Sequence, residues 1–253
     1  MGNGNVVNAI FNCDLALYGG EVTLTYFLNG YGTDKNVDFN GGKLTATSGA
    51  NAIGGNTTIN ATSGWIKASK YGGSVTIAEG KYMKDETGRY YKGTLTDAEK
   101  AAAAGKTLQP ATQAEYINYM FGGGNGSQNS PYVISSTEGW NFFCDCLDDN
   151  NTWNRFSGKI VKLDANISVS RMAGTSDHDF CGTFDGNHKT LTFTSTENVD
   201  GVAPFSYISE TTPTGGSEVS HPAIRNLNVV VNINTTATHA SGLVGRQWGT
   251  LTI

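Results

Sequence analysis

The chain has 253 residues, enough for one elongated domain or two smaller ones, with only 15% charged residues and a composition weighted toward Gly, Thr and Asn. Thr suits half-exposed strands, while Gly and Asn suit left-handed turns, so many short strands joined by tight corners are expected, with little helix. A net charge of −5 and a pI near 5.3 offer no basic stripe to track phosphates, which argues against nucleic acid as a partner.

The first residues, MGNGNVVNAIFNCDLALYGG, lack the basic and apolar regions of a signal peptide, and Val6 stands where a myristoylation pattern wants Ser or Thr. No apolar run reaches the roughly 20 residues needed to cross a bilayer, so no membrane-spanning segment is expected. Three segments then share a Gly-Gly-x-[Val/Leu]-Thr pattern: GGEVTLT from Gly19, GGKLTAT from Gly41 and GGSVTIA from Gly72. A fourth Gly pair opens the β-rich run GGNTTIN at Gly54. Intervals of 22 and 31 residues between the three suit stacked solenoid repeats, in which each inward row of Val, Leu and Ile is covered by the next coil.

Beyond Gly80 the pattern lapses. TLTDAEKAAAAGK predicts a short helix with Thr96 as N-cap, Glu99 as its capping-box partner and Gly105 as the stop. FGGGNGSQNSP reads as a flexible linker. The expected organisation is therefore a Gly/Thr-rich repeat segment over residues 1–121 ending in short helices, a linker at 122–131 and a second domain over 132–253.

The second domain opens with SSTEGWNFFCDCLDDNN, where Ser135 and Glu138 suit a capping box and Trp140, Phe143, Cys144 and Leu147 share one helical face. Strands are expected in residues 158–170, 188–195, 224–234 and 249–253, with a bulging loop over 210–221. The closing GTLTI reads as part of a strand, so both ends read as cuts through a longer protein. Four cysteines (Cys13, Cys144, Cys146, Cys181) are too few and too irregular for a disulfide framework. Cys144 and Cys146, two apart on a helix, point away from each other and cannot share a zinc ion.

FCGTFDGNHKTLTF, residues 180–193, crowds Cys181, Asp185 and His188 together, with Asp177, His178 and Asp179 just before. The residue types offer a nucleophile with its base, or calcium at Asp177, Asp179 and Asp185, but a Cys/His pair needs a contact geometry that spacing alone does not show, and the regular spacing of a calcium loop is absent. The glycines and the Asp-Asn pair read instead as a corner, followed by an inward row of Leu191 and Phe193. The same corner suits a type I′ hairpin in an antiparallel sandwich.

Gly182 to Leu191, Ala223 to Leu227 and Gly242 to Leu251 occur in the order of the three sequence blocks of GLUG repeats. The stretch from Pro131 to Ile253 thus resembles the GLUG-repeat region of large bacterial surface proteins, also found beside the protease domain of IgA-cleaving metallopeptidases. Val202-Ala203-Pro204-Phe205 and His188 depart from the repeat, at a Gly-Leu-Phe-Gly-like turn and at a common glycine. The first half is similar, more loosely, to Gly-Gly-x-Val-Thr repeats of secreted proteins of gut anaerobes. These resemblances and the repeat lengths together imply an all-β chain: a right-handed parallel β-helix or β-solenoid with a short capping helix and a smaller N-terminal β-rich repeat segment. They imply a monomeric, non-catalytic scaffold or adhesin, extracellular or on the cell surface, contacting a glycan or a host surface protein, with no catalytic residue, metal or cofactor. Two other functions fit a β-helix: a polysaccharide lyase or glycosidase, which requires two or three of Asp164, Asp177, Asp179 and Asp185 to converge, and a passive spacer for a peptidase.

Overall fold

The computed structural model describes residues 14–24, 28–29, 35–47, 52–149, 153–210 and 221–253; Cys13, Thr25 and most of the loop expected over 210–221 lie outside them. The chain forms two compact units, Met1–Tyr116 and Ile117–Ile253. Both are mainly β, with nineteen strands and three α-helices among the described residues. None of those helices is long and apolar enough to cross a membrane.

In the first unit the strands Leu15–Leu17 and Glu21–Leu24 both pair in parallel with Lys35–Ala46, which pairs in parallel with Asn56–Ala68. Equivalent positions lie 22 residues apart, so Leu15, Val37 and Ile59 form one row and Val22, Leu44 and Ile66 another. Val37, Leu44, Ile59 and Ile66 are at most 2% exposed, and each such burial contributes about 1.5–3 kcal/mol. The first two Gly-Gly motifs sit side by side in this ladder. The third pairs instead with GGNTTI, Ser74 beside Asn56 and Ile77 beside Ile59. The glycines are explained by this stacking: a Cβ on Gly64 (φ +87°) would lie 1.9 Å from Gly42 O, and one on Gly73 2.3 Å from Gly55 O.

Beyond Ile77 the pairing changes direction. Thr107–Ala111 runs antiparallel to Asn56–Ala68 and to Tyr82–Lys84, which in turn pairs antiparallel with Tyr90–Tyr91. The first unit is therefore a mixed sheet, not a uniformly parallel stack. Helix α1 (Asp97–Ala103) has the expected cap, with Thr96 Oγ1 accepting from the Glu99 N–H at 3.2 Å and Glu99 Oε2 accepting from the Thr96 N–H at 2.8 Å. Gly105 follows it in the left-handed region and donates its N–H to Ala68 O. Helix α2 (Gln113–Met120) contains the division between the units.

In the second unit every strand pair among the described residues is parallel. One ladder runs Tyr132–Ile134, Ile160–Leu163, Thr183–Asp185 and Ala223–Arg225; a second runs Ile167–Val169, Thr190–Ser195 and Asn228–Ile233; a third joins Phe205–Ser209 to Val244–Trp248. Thr183–Asp185 and Thr190–Ser195 belong to different ladders, so the Asp185-Gly186 corner is not a hairpin. Gly186 is needed there because a Cβ would meet Leu227 Cα at 2.4 Å. The expected strand over 158–170 is broken at Asp164, and that over 224–234 at Asn226, which takes φ +53°. At the end the strand is Val244–Trp248 and not GTLTI, because Gly249 (φ +81°) turns the chain; Thr252 returns as a single bridge to Ala223.

Residues 122–131, read from sequence as a linker, carry defined hydrogen bonds within this unit: the Asn125 N–H donates to Ser130 O, and the Ile160 N–H to Gly126 O. Helix α3 (Thr137–Asp148) is capped one residue later than expected, by Ser136 Oγ, which accepts from the Gly139 N–H at 3.1 Å. Trp140, Phe143, Cys144 and Leu147 are buried as the helical spacing predicts; Cys146 is buried too, and so is Phe142, against which Phe121 packs edge-on. Trp140 lies within 6 Å of the rings of Phe143, Phe184 and Phe205 and donates its indole N–H to Arg171 O. Edge-to-face contacts of this kind add about 0.5–1.5 kcal/mol beyond burial.

Candidate functional site

The strongest concentration of exposed chemistry lies where two strands of the third ladder and the loops before them run side by side. Asp200 lies in the loop ahead of Phe205–Ser209, and His239 in the loop ahead of Val244–Trp248. The Gly201 and Val202 N–H groups both donate to His239 O, and the Ser241 N–H donates to Val202 O, so the loops are tied backbone to backbone. Gly245 makes the approach possible, since a Cβ there would lie 2.2 Å from Gly201 O. The strand register then sets Tyr207 beside Arg246 and Ser209 beside Trp248.

The side chains converge on Asp200. Its Oδ2 accepts from Arg246 Nε at 2.8 Å and Nη2 at 2.5 Å, and from the Tyr207 hydroxyl at 3.3 Å; its Oδ1 lies 2.6 Å from His239 Nδ1. The Arg246 guanidinium, with His239 adding to it against the opposing effect of desolvation, holds the Asp200 carboxyl below the usual carboxylate range. A neutral His239 bound this way carries its proton on Nδ1 and leaves Nε2 as an acceptor. The Tyr207 ring stacks on the Trp248 indole with centroids 5.6 Å apart and planes 14° apart, and Trp248 remains 50% exposed.

Two grooves meet at Asp200. One, of about 480 Å³, is lined by Asn198, Asp200, Thr236, Thr238, His239 and Arg246. The other, of about 440 Å³, is lined by Arg171, Met172, Glu197, Val199, Asp200 and Tyr207. Fixed donors, fixed acceptors and an open aromatic surface together suit a ligand with many hydroxyls and an apolar face.

The residues singled out by sequence lie elsewhere. Asp179 is buried and bound by Arg155 and by the Ser209 hydroxyl. Asp185 anchors its corner, accepting from the Asn187 N–H at 2.9 Å, from Asn226 Nδ2 and from Arg225 Nε. Asp164 is joined to the same corner by Asn187 Nδ2 at 3.2 Å, and Asp177 is exposed on a turn. His188 sits on the corner with φ +58°. Among the described residues no three His, Cys, Asp or Glu side chains gather as a metal site. Cys144, Cys146 and Cys181 are buried and form no disulfide, and burial pushes the Cys144 thiol up to about 12, where it is a poor nucleophile at neutral pH.

Sequence reasoning missed Tyr207, Arg246 and Trp248 because nothing in a local motif joins residues some 40 positions apart. The available signal was the departure at Val202-Ala203-Pro204-Phe205: setting Phe205 of that turn against Val244, 39 positions on, places Tyr207 against Arg246. No protein-family model, curated protein or solved structure matches this chain.

Proposed function

We propose that the chain is a non-catalytic repeat module of a bacterial cell-surface or secreted protein that binds a glycan through the Tyr207–Trp248 stack and the Asp200 node. The observation that carries this reading is the half-exposed indole stacked on Tyr207, whose hydroxyl meets a pre-oriented carboxylate, guanidinium and imidazole where two grooves join. The C–H face of a pyranose packs on an indole, while its hydroxyls need donors and acceptors held in place. In this reading the parallel ladders of the second unit are coils of a right-handed β-helix of the GLUG type, and α3 caps its aromatic core. The offsets of 23–24 residues between some paired positions and 38–40 between others support coils of one pattern with loops of different length.

Glycan and host-protein arrays probed with the purified chain test the proposal. Binding to glycans that is lost in Trp248→Ala with the fold intact is the expected result. Absence of binding to either array overturns it in favour of a passive spacer. The Asp200–His239 pair favours one other reading, a carbohydrate-active enzyme, because a carboxylate orienting an imidazole is the arrangement of a general base. Depolymerisation of a bound glycan, abolished by His239→Ala, would replace adhesion with catalysis.

A further inference from the structure

We infer that the glycan taken by this site is uncharged, and that chains bearing uronate, sialate or sulfate groups are rejected; the inference rests on the glycan reading above. The cations decide it. All seven Lys and Arg residues of the second unit lie among the described positions, and of these only Arg171 and Arg246 line the grooves. Residues 117–253 carry these 7 against 12 Asp and Glu, whereas residues 1–116 carry 10 of each, so the whole net charge of −5 resides in the unit that holds the site.

Only two cations line the grooves, and both are already engaged. Arg246 is held by Asp200 through two nitrogens. Arg171 lies between two carboxylates of α3, Asp145 at 2.5 Å and Asp148 at 2.8 Å. Arg155, on the neighbouring Ser209, is bound to the buried Asp179. Recognition of a carboxylate or sulfate calls for a guanidinium fork with free donors facing the ligand. Here an anionic ligand would have to share each guanidinium with a carboxylate already in place, which repels it and halves what the cation can offer.

Glu197 adds the repulsive element. It lines the groove beside Tyr207, is exposed, and pairs with no described cation. A charged sugar resting on the stack would meet this carboxylate and Asp200 together, and like-charge juxtaposition of this kind suppresses wrong partners. An uncharged pyranose incurs no such penalty and uses the same carboxylates as acceptors for its hydroxyls.

Titration calorimetry with matched glycans differing by one charge type tests this: N-acetyllactosamine against its sialylated form, and an oligogalactoside against an oligogalacturonate. The expected result is binding of the uncharged members at least about tenfold tighter, about 1.4 kcal/mol. Glu197→Gln narrows the gap by weakening the rejection of the charged members, and raising the salt concentration narrows it as well. Tighter binding of the charged member of a pair that binds, lost in Arg246→Ala, overturns the inference and leaves the glycan reading standing. Failure of every glycan to bind, with the fold intact, removes the glycan reading and this inference with it.

Discussion

The two units solve the same packing problem with different regularity. In the first, equivalent residues recur every 22 positions through three strands, and the inward rows are aliphatic: Leu15, Val37 and Ile59, then Val22, Leu44 and Ile66. In the second, the offset between paired positions varies from 23 to 40, and the centre is aromatic, built on Trp140, Phe143, Phe184 and Phe205. A constant offset leaves no spare residues, so the corners are reduced to glycine columns such as Gly42 and Gly64. A variable offset makes loops, and it is these loops, before Phe205 and before Val244, that carry Asp200 and His239. Regular stacking makes a scaffold; irregular stacking makes room for a site.

The comparison can be broken at its supports. Phe184→Ala empties the aromatic centre, where Phe184 is fully buried against Trp140 and Phe205, and destabilises the second unit by about 3–5 kcal/mol in denaturant titration. Gly64→Ala strikes the glycine column instead. It forces a Cβ onto Gly42 O and a left-handed residue into the ladder, so the first unit loses about 2–4 kcal/mol, with the loss read from amide exchange in residues 35–68. Trp248→Ala costs no more than about 1.5 kcal/mol, the worth of its stack, because the ring lies outside the core, while it removes binding; a larger loss of stability would make Trp248 a packing residue and not a site residue. His188→Gly is the mildest, raising the melting temperature of the second unit through a gain of about 1 kcal/mol, since His188 occupies a left-handed conformation that glycine adopts freely. Neither it nor Cys181→Ser changes binding, because both residues belong to the corner and the core.

Much of the scaffold was legible because its causes are local. Period-2 alternation placed Leu191 and Phe193 inward, where both are fully buried, and Thr96 with Glu99 named the helix cap from four residues. Pairing partners were less legible, since register depends on which glycines meet across a coil. GGSVTI resembles GGKLTA in sequence and yet pairs with GGNTTI, while the true neighbour of GGKLTA, SGWIKA, has Ser63 in place of the first glycine of the pair that would have revealed it. The antiparallel turn taken after Ile77 had no local signature beyond the lapse of the repeat. The site was least legible, because Asp200 with His239 and Tyr207 with Trp248 become neighbours only through that register.

The change of strand direction in the first unit bears on how the repeat can extend at this edge. A parallel ladder of near-identical rows is a template, and any second chain with the same repeat could add to its open edge. Thr107–Ala111 occupies that place in the opposite sense, joined to Asn56–Ala68 through Thr107 and Leu108 alone before crossing to Tyr82–Lys84. Pro110, in its midst, has no N–H to offer a further strand. At this edge the growing pattern thus meets a strand of the wrong polarity and an interrupted row of donors.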